Sequence, residues 1–108
     1  SFIIMDESGA EADKTLKAGK FKAKLTLPDG RKTAAVIIAK YVNGTLGELK
    51  MSEPKEAQAI IETDFITVTG EDLTKQTEIK AFAFESMGNI KPMYDFQHIT
   101  NKTTRSAK

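Results

Sequence analysis

From residue 20 the chain alternates. Phe21, Ala23, Leu25 and Leu27 are interleaved with Lys20, Lys22, Lys24 and Thr26, the period of two that marks a strand with one buried and one wetted face. Pro28-Asp29-Gly30 follows and predicts a tight turn, because proline presets a negative φ and glycine accepts a positive one. Residues 33 to 42, Thr-Ala-Ala-Val-Ile-Ile-Ala-Lys-Tyr-Val, are almost wholly apolar and rich in β-branched types, so they read as a central strand covered on both faces. Asn43-Gly44 then predicts a type I′ hairpin, whose two central residues need positive φ. Residues 45 to 51 should therefore return antiparallel.

Residues 76 to 86 form the next patterned stretch, with Ile79, Ala81 and Ala83 on one side and Phe82 and Phe84 on the other. They read as a second central strand. Phe82 and Phe84 are expected in the core, each contributing roughly 1.5–3 kcal/mol on burial. Between Ser52 and Asp64 propensity is divided. Ser52 as a cap, Pro54 in a first turn and the spacing of Ala57, Ile60 and Ile61 suit a short helix, while Phe65 to Thr69 looks extended. Residues 57 to 69 are read as one long strand, bulged near Glu62 where the alternation slips phase. Phe2 to Met5 is expected as an edge strand, Ser8 to Asp13 and Gly70 to Lys75 as loops, and residues 101 to 108 as a frayed tail. Five to seven strands joined by short turns make an all-β sandwich, with residues 1 to 100 as a single module.

Composition narrows the function classes. At 108 residues the chain is one domain able to bury a real core. Hydrophobic residues are 40% and charged ones 29%, outside the signature of disorder. A formal net charge of +1 provides no overall bias toward nucleic acid or anionic membrane. Cysteine is absent, which removes disulfides, cysteine zinc sites and thiol nucleophiles together. The longest apolar runs, such as Ala34 to Ala39, are far short of the roughly 20 residues of a membrane span, and any export signal would lie outside these residues.

Candidate chemistry is sparse. His98 is the single histidine, too few for a two-histidine metal site, and it reads as a surface residue. Phe84-Glu85-Ser86-Met87-Gly88 lacks the first glycine of a nucleophile elbow and a helix to follow. Asp6, Glu7, Glu11 and Asp13, with Glu71 and Asp72, are oxygen-rich loop residues, but their spacing matches no calcium-binding loop; no cofactor or metal is expected. Lys20, Lys22 and Lys24 would form a basic stripe, read as guarding a strand against edge-to-edge pairing rather than as a nucleic-acid surface. Sugar-binding sandwiches present aromatic rings beside planar polar groups, and here Tyr94 and Phe96, flanked by Asp95 and Gln97, are the candidate carbohydrate-binding residues.

Three segments carry a resemblance. "TLKAGKFKAKLTL" at 15 to 27, "AAVIIAKYVNGTLGEL" at 34 to 49 and "IKAFAFESMGNIKPM" at 79 to 93 resemble the immunoglobulin-like or fibronectin-type-III-like β-sandwich modules of large secreted and surface-layer-associated proteins of Gram-positive bacteria. The closing motif is the most distinctive; Phe84 stands where those modules usually have tryptophan, and the chain continues past Pro92. The resemblance implies an immunoglobulin-like antiparallel β-sandwich of about seven strands. It also implies a non-catalytic accessory module, secreted or at the cell surface, serving as spacer or docking domain of a larger bacterial protein. Its partners would be neighbouring domains of the same polypeptide, with cell-wall or plant polysaccharide as the alternative ligand if the module targets an attached hydrolase. Neither a nucleic-acid partner nor a membrane span is expected.

Overall fold

The computed structural model describes residues 1–27, 35–52, 60–84 and 96–101. They form eight strands: β1 Phe2–Asp6, β2 Gly19–Thr26, β3 Ala35–Val42, β4 Thr45–Ser52, β5 Ile60–Glu62, β6 Ile66–Val68, β7 Thr77–Phe84 and β8 Gln97–Thr100. A single 3-10 turn, Asp72–Thr74, interrupts the loop before β7, and no α-helix occurs among the described residues. All strand pairings are antiparallel, in two four-stranded sheets. In the first, β2 lies between β1 and the β5/β6 pair; the second runs β4-β3-β7-β8. β3 and β7 are thus central, as their two-sided apolar character predicts, and β1 is an edge strand.

Alternation decides which residues meet between the sheets. Phe2 and Ile4 of β1, Phe21, Ala23 and Leu25 of β2, and Ile61, Ile66 and Val68 face Val36, Ile38, Ile79, Ala81, Ala83 and Ile99 across the gap. Leu25, Ile38, Ile66 and Ile79 are the largest side chains wholly removed from water, and each alanine leaves room for a larger neighbour to interdigitate. The hairpin after β3 forms as its sequence requires, with φ of 53° at Asn43 and 81° at Gly44. Asn43 then locks this hairpin to the start of β7: its amide donates to the Gln76 carbonyl at 2.7 Å, and its Oδ1 accepts from the Gln76 amide at 3.2 Å.

Three expectations are corrected. Residues 60 to 69 are not one continuous strand. β5 and β6 pair with the same side of β2 but one residue out of step, Glu62 opposite Lys24 and Ile66 opposite Phe21, and Thr63 fills the break. The Thr63 hydroxyl accepts from the buried Ala23 amide at 3.0 Å while the Thr63 amide donates to the Ala23 carbonyl, so the slip leaves neither group of Ala23 unpaired. Of the segment from Ser52 to Asp64 for which a short helix was weighed, Ile60–Glu62 is strand; residues 53–59, the Pro28 turn and Tyr94 lie outside the described residues. The lysines of β2 do not guard an edge, because β2 is the centre of its sheet; Lys22 instead bonds Glu62 at 2.7 Å and stands 4.8 Å from the centre of the Phe65 ring.

The third correction concerns Phe82 and Phe84. On β7 the buried positions are Thr77, Ile79, Ala81 and Ala83, while Glu78, Lys80, Phe82 and Phe84 share the outer, half-buried face. Burying a lysine and a glutamate in the sandwich would cost far more than leaving two rings on the outside. The charges therefore set the phase.

A polar clamp joins the sheets at the end of β3. Lys40 Nζ donates to the Thr67 carbonyl at 2.9 Å and to Asp72 Oδ2 at 2.9 Å, and Glu48 Oε1 accepts from the Thr67 amide at 3.0 Å. β6 of the first sheet is thereby held by β3 and β4 of the second. The Thr69 amide, and then the Lys40 ammonium, hold the Asp72 carboxyl below its ordinary value.

Two outcomes follow from this packing. Ile38→Ala and Ile79→Ala should each lower stability by about 2–5 kcal/mol, and Phe82→Ala by less than either, as read from urea midpoints. Because Asp72 titrates lower in the folded protein, its contribution is fully present above the unfolded carboxylate value and is lost as pH falls through the folded one. The midpoint gap between the wild type and Asp72→Asn should therefore be widest at neutral pH and narrow progressively below about pH 4.

Candidate functional site

The outer face of the second sheet carries an unusual concentration of apolar side chains. Directly paired residues of antiparallel strands share a face, so register alone assembles it. One row runs Met51, Ile37, Phe82; the next runs Leu49, Ala39, Lys80, His98; a third runs Leu46, Tyr41, Glu78, Thr100. Leu46, Leu49, Met51 and Phe96 are 46–50% exposed, whereas the outer face of β2 presents lysines. Contiguous exposed apolar groups on one face are the usual mark of an interaction surface.

Phe96, one of the two expected carbohydrate-binding residues, lies on this face, immediately before β8. Its ring stacks on Phe82 with centroids 5.6 Å apart and planes 25° off parallel, and Phe82 stacks in turn on Phe84 at 6.4 Å and 12°. His98 continues the row at 5.5 Å from Phe96. Four rings are thus held side by side by the alternation of β7 and β8. Lys80 reaches over them, its Nζ 5.3 Å from the Tyr41 ring centre and 5.9 Å from that of Phe96, a cation–π arrangement that keeps the ammonium hydrated at the rim. His98 Nδ1 lies 3.0 Å from Glu78 Oε2. The sequence reading of His98 as a surface residue agrees with its half-exposed position.

β4 is inverted in polarity. Glu48 and Lys50 point toward the sandwich and Leu46, Leu49 and Met51 point away. Glu48 is drawn inward by the Thr67 amide. These three outward residues were not singled out in the sequence, where Glu48, Leu49, Lys50 and Met51 alternate and would ordinarily place the aliphatic side inward; Leu46 joins Leu49 and Met51 on one face through the register shift between Lys40 and Tyr41.

The acidic loop is otherwise engaged. Asp6 Oδ1 accepts from the Ser8 hydroxyl and from the Ser8 and Ala10 amides, bonds that hold its carboxyl below the ordinary value, the Ser8 hydroxyl most strongly. Asp13 pairs with Lys17 at 3.2 Å. Among the described residues no group of three or more His, Asp or Glu is arranged to hold a metal ion, and no helix is long and apolar enough to cross a membrane. A cleft of about 270 Å3 beside this loop is lined by Asp6, Glu7, Ser8, Asp13, Lys17 and Lys20, a mixture of charges in which the Ser8 hydroxyl donates to the Asp6 carboxylate at 2.6 Å.

If the outward aliphatic side chains serve a surface role, replacing Leu46, Leu49 and Met51 together by Ser should reduce binding of a hydrophobic reporter dye. The same variant should shift the urea midpoint less than the single core substitution Ile38→Ala. Comparison with known proteins adds no relative: no family model, no curated protein and no solved structure matches this chain.

Proposed function

We propose that the chain is a non-catalytic, immunoglobulin-like β-sandwich module that serves as a spacer or docking domain in a larger secreted or cell-surface bacterial protein. Strand order supports the family reading. One sheet contains β1, β2 and the β5/β6 pair, the other runs β4-β3-β7-β8, and sequential strands cross between sheets in the manner of a Greek-key sandwich. The observation that carries the docking role is the apolar outer face of the second sheet, set against carboxylates that are already satisfied by amides, hydroxyls and lysines. A rigid two-sheet body with one sticky face suits contact with a neighbouring domain of the same polypeptide.

A second reading is favoured by Phe96. A half-exposed ring in a row with Phe82 and His98, bordered by Lys80 and Glu78, offers apolar surface and hydrogen-bonding groups of the kind that receive a pyranose ring. The module would then direct an attached polysaccharide-degrading enzyme to its substrate.

Retention on insoluble cellulose, chitin and peptidoglycan separates the two. The docking reading expects retention no higher than that of an inert control protein. Polysaccharide-specific retention that is abolished by Phe96→Ala or Tyr94→Ala, in variants with wild-type urea midpoints, would establish the carbohydrate reading in its place.

A further inference from the structure

β4 ends the order of its sheet and, among the described residues, pairs only with β3. It is eight residues long, and its remaining backbone donors and acceptors form a ready template for another strand. Its outward side chains are Leu46, Leu49 and Met51, each about half exposed. Charge distribution along the strand selects the partner. Glu48 and Lys50 flank Leu49 on the opposite face, a pattern that reads the same in reverse with the signs exchanged.

We infer that β4 pairs with β4 of a second copy of this chain, antiparallel, about a two-fold axis passing through Leu49. In that register Leu49 meets its own symmetry mate on the outer face and Met51 packs diagonally against the mate of Leu49. On the inner face Glu48 stands opposite the second copy's Lys50, and Lys50 opposite its Glu48. The neighbouring symmetric registers are worse on electrostatic grounds. An axis through Glu48 sets two carboxylates face to face, and an axis through Lys50 sets two ammonium groups face to face, each destabilising in directly opposed positions. Both charged groups are available for the pairing. Glu48 uses Oε1 for the Thr67 amide and keeps Oε2, and among the described residues Lys50 has no carboxylate partner. The interface is isologous, so it closes at two copies, and it merges the two outer faces into one eight-stranded surface. Its existence does not depend on whether that surface meets a protein domain or a glycan.

Sedimentation equilibrium of the full chain, at low and moderate salt, tests this directly. The wild type should show a concentration-dependent monomer–dimer equilibrium that weakens as salt rises. Lys50→Glu, and separately Glu48→Lys, should each raise the dissociation constant about tenfold or more, because both symmetry-related pairs become like-charged. An equimolar mixture of the two variants should recover wild-type affinity as a heterodimer, a rescue that no folding defect can imitate. Since Glu48 also braces Thr67, Leu49→Arg supplies a variant that leaves that bond intact and opposes two cations on the axis; it should be monomeric, with the wild-type urea midpoint when both are measured at concentrations where the wild type is itself monomeric. The pairing is overturned by a wild type that stays monomeric at millimolar concentration. It is equally overturned by a dimer indifferent to Lys50→Glu and Leu49→Arg, or by one dissolved by Phe96→Asp alone, which would place the contact on the aromatic face instead of the edge.

Discussion

The arrangement rests on one constraint: the gap between the sheets accepts about one layer of interdigitated side chains from each, and every strand must commit a full alternate set to it. Leu25, Ile66 and Val68 from one side and Val36, Ile38 and Ile79 from the other are the large apolar side chains of that layer most completely removed from water. Phe2, Ile4, Phe21, Ile61 and Ile99 join it, and the inward positions left among them on β2 and β7 are small: Ala23, Ala81 and Ala83, each at most 1% exposed. With isoleucine and leucine already filling the space, phenylalanine at the alanine positions would overpack it. The aromatic residues of β7 are consequently excluded from the interior as firmly as the charges that share their face.

That exclusion creates the apolar outer face of the second sheet. Once Phe82 and Phe84 lie outside, β8 supplies Phe96 and His98 beside them, β3 supplies Ile37 and Tyr41, and β4 adds Leu49 and Met51. No loop geometry is required, since hydrogen-bonded register alone brings these residues together across four strands. The outer face of the second sheet is thus mixed, its apolar side chains set among Glu78, Lys80 and His98, while that of the first carries the lysines of β2 beside Ile60 and Phe65. On the first sheet Lys22 pairs with Glu62 and stands over the Phe65 ring.

The polar clamp at Thr67 explains a second asymmetry. Among the described residues β6 pairs with β2 alone, so the backbone groups on its other edge have no ladder partner. Glu48 and Lys40 provide partners from the facing sheet, meeting the Thr67 amide and carbonyl respectively. Turning Glu48 inward for that purpose turns Leu49 outward, since neighbouring side chains on a strand point to opposite faces. A hydrogen bond at one end of the sandwich thereby accounts for an aliphatic stripe on its exterior.

Much of this was legible in the sequence. Alternation identified β2 and its inward set, two-sided apolarity identified β3 and β7 as central, and Asn43-Gly44 specified a hairpin whose positive φ values follow from local sterics alone. The orientation of β7 was also written there, because Glu78 and Lys80 occupy the same parity as Phe82 and Phe84, and a charge outweighs a ring when a face must be chosen for water. β4 is different. Its parity rule points the wrong way, and only the approach of Thr67, a residue 19 positions distant from Glu48, reverses it. Local pattern determines which residues travel together on a face; which face turns inward, when both carry an inducement, is decided by the partner that folding brings opposite.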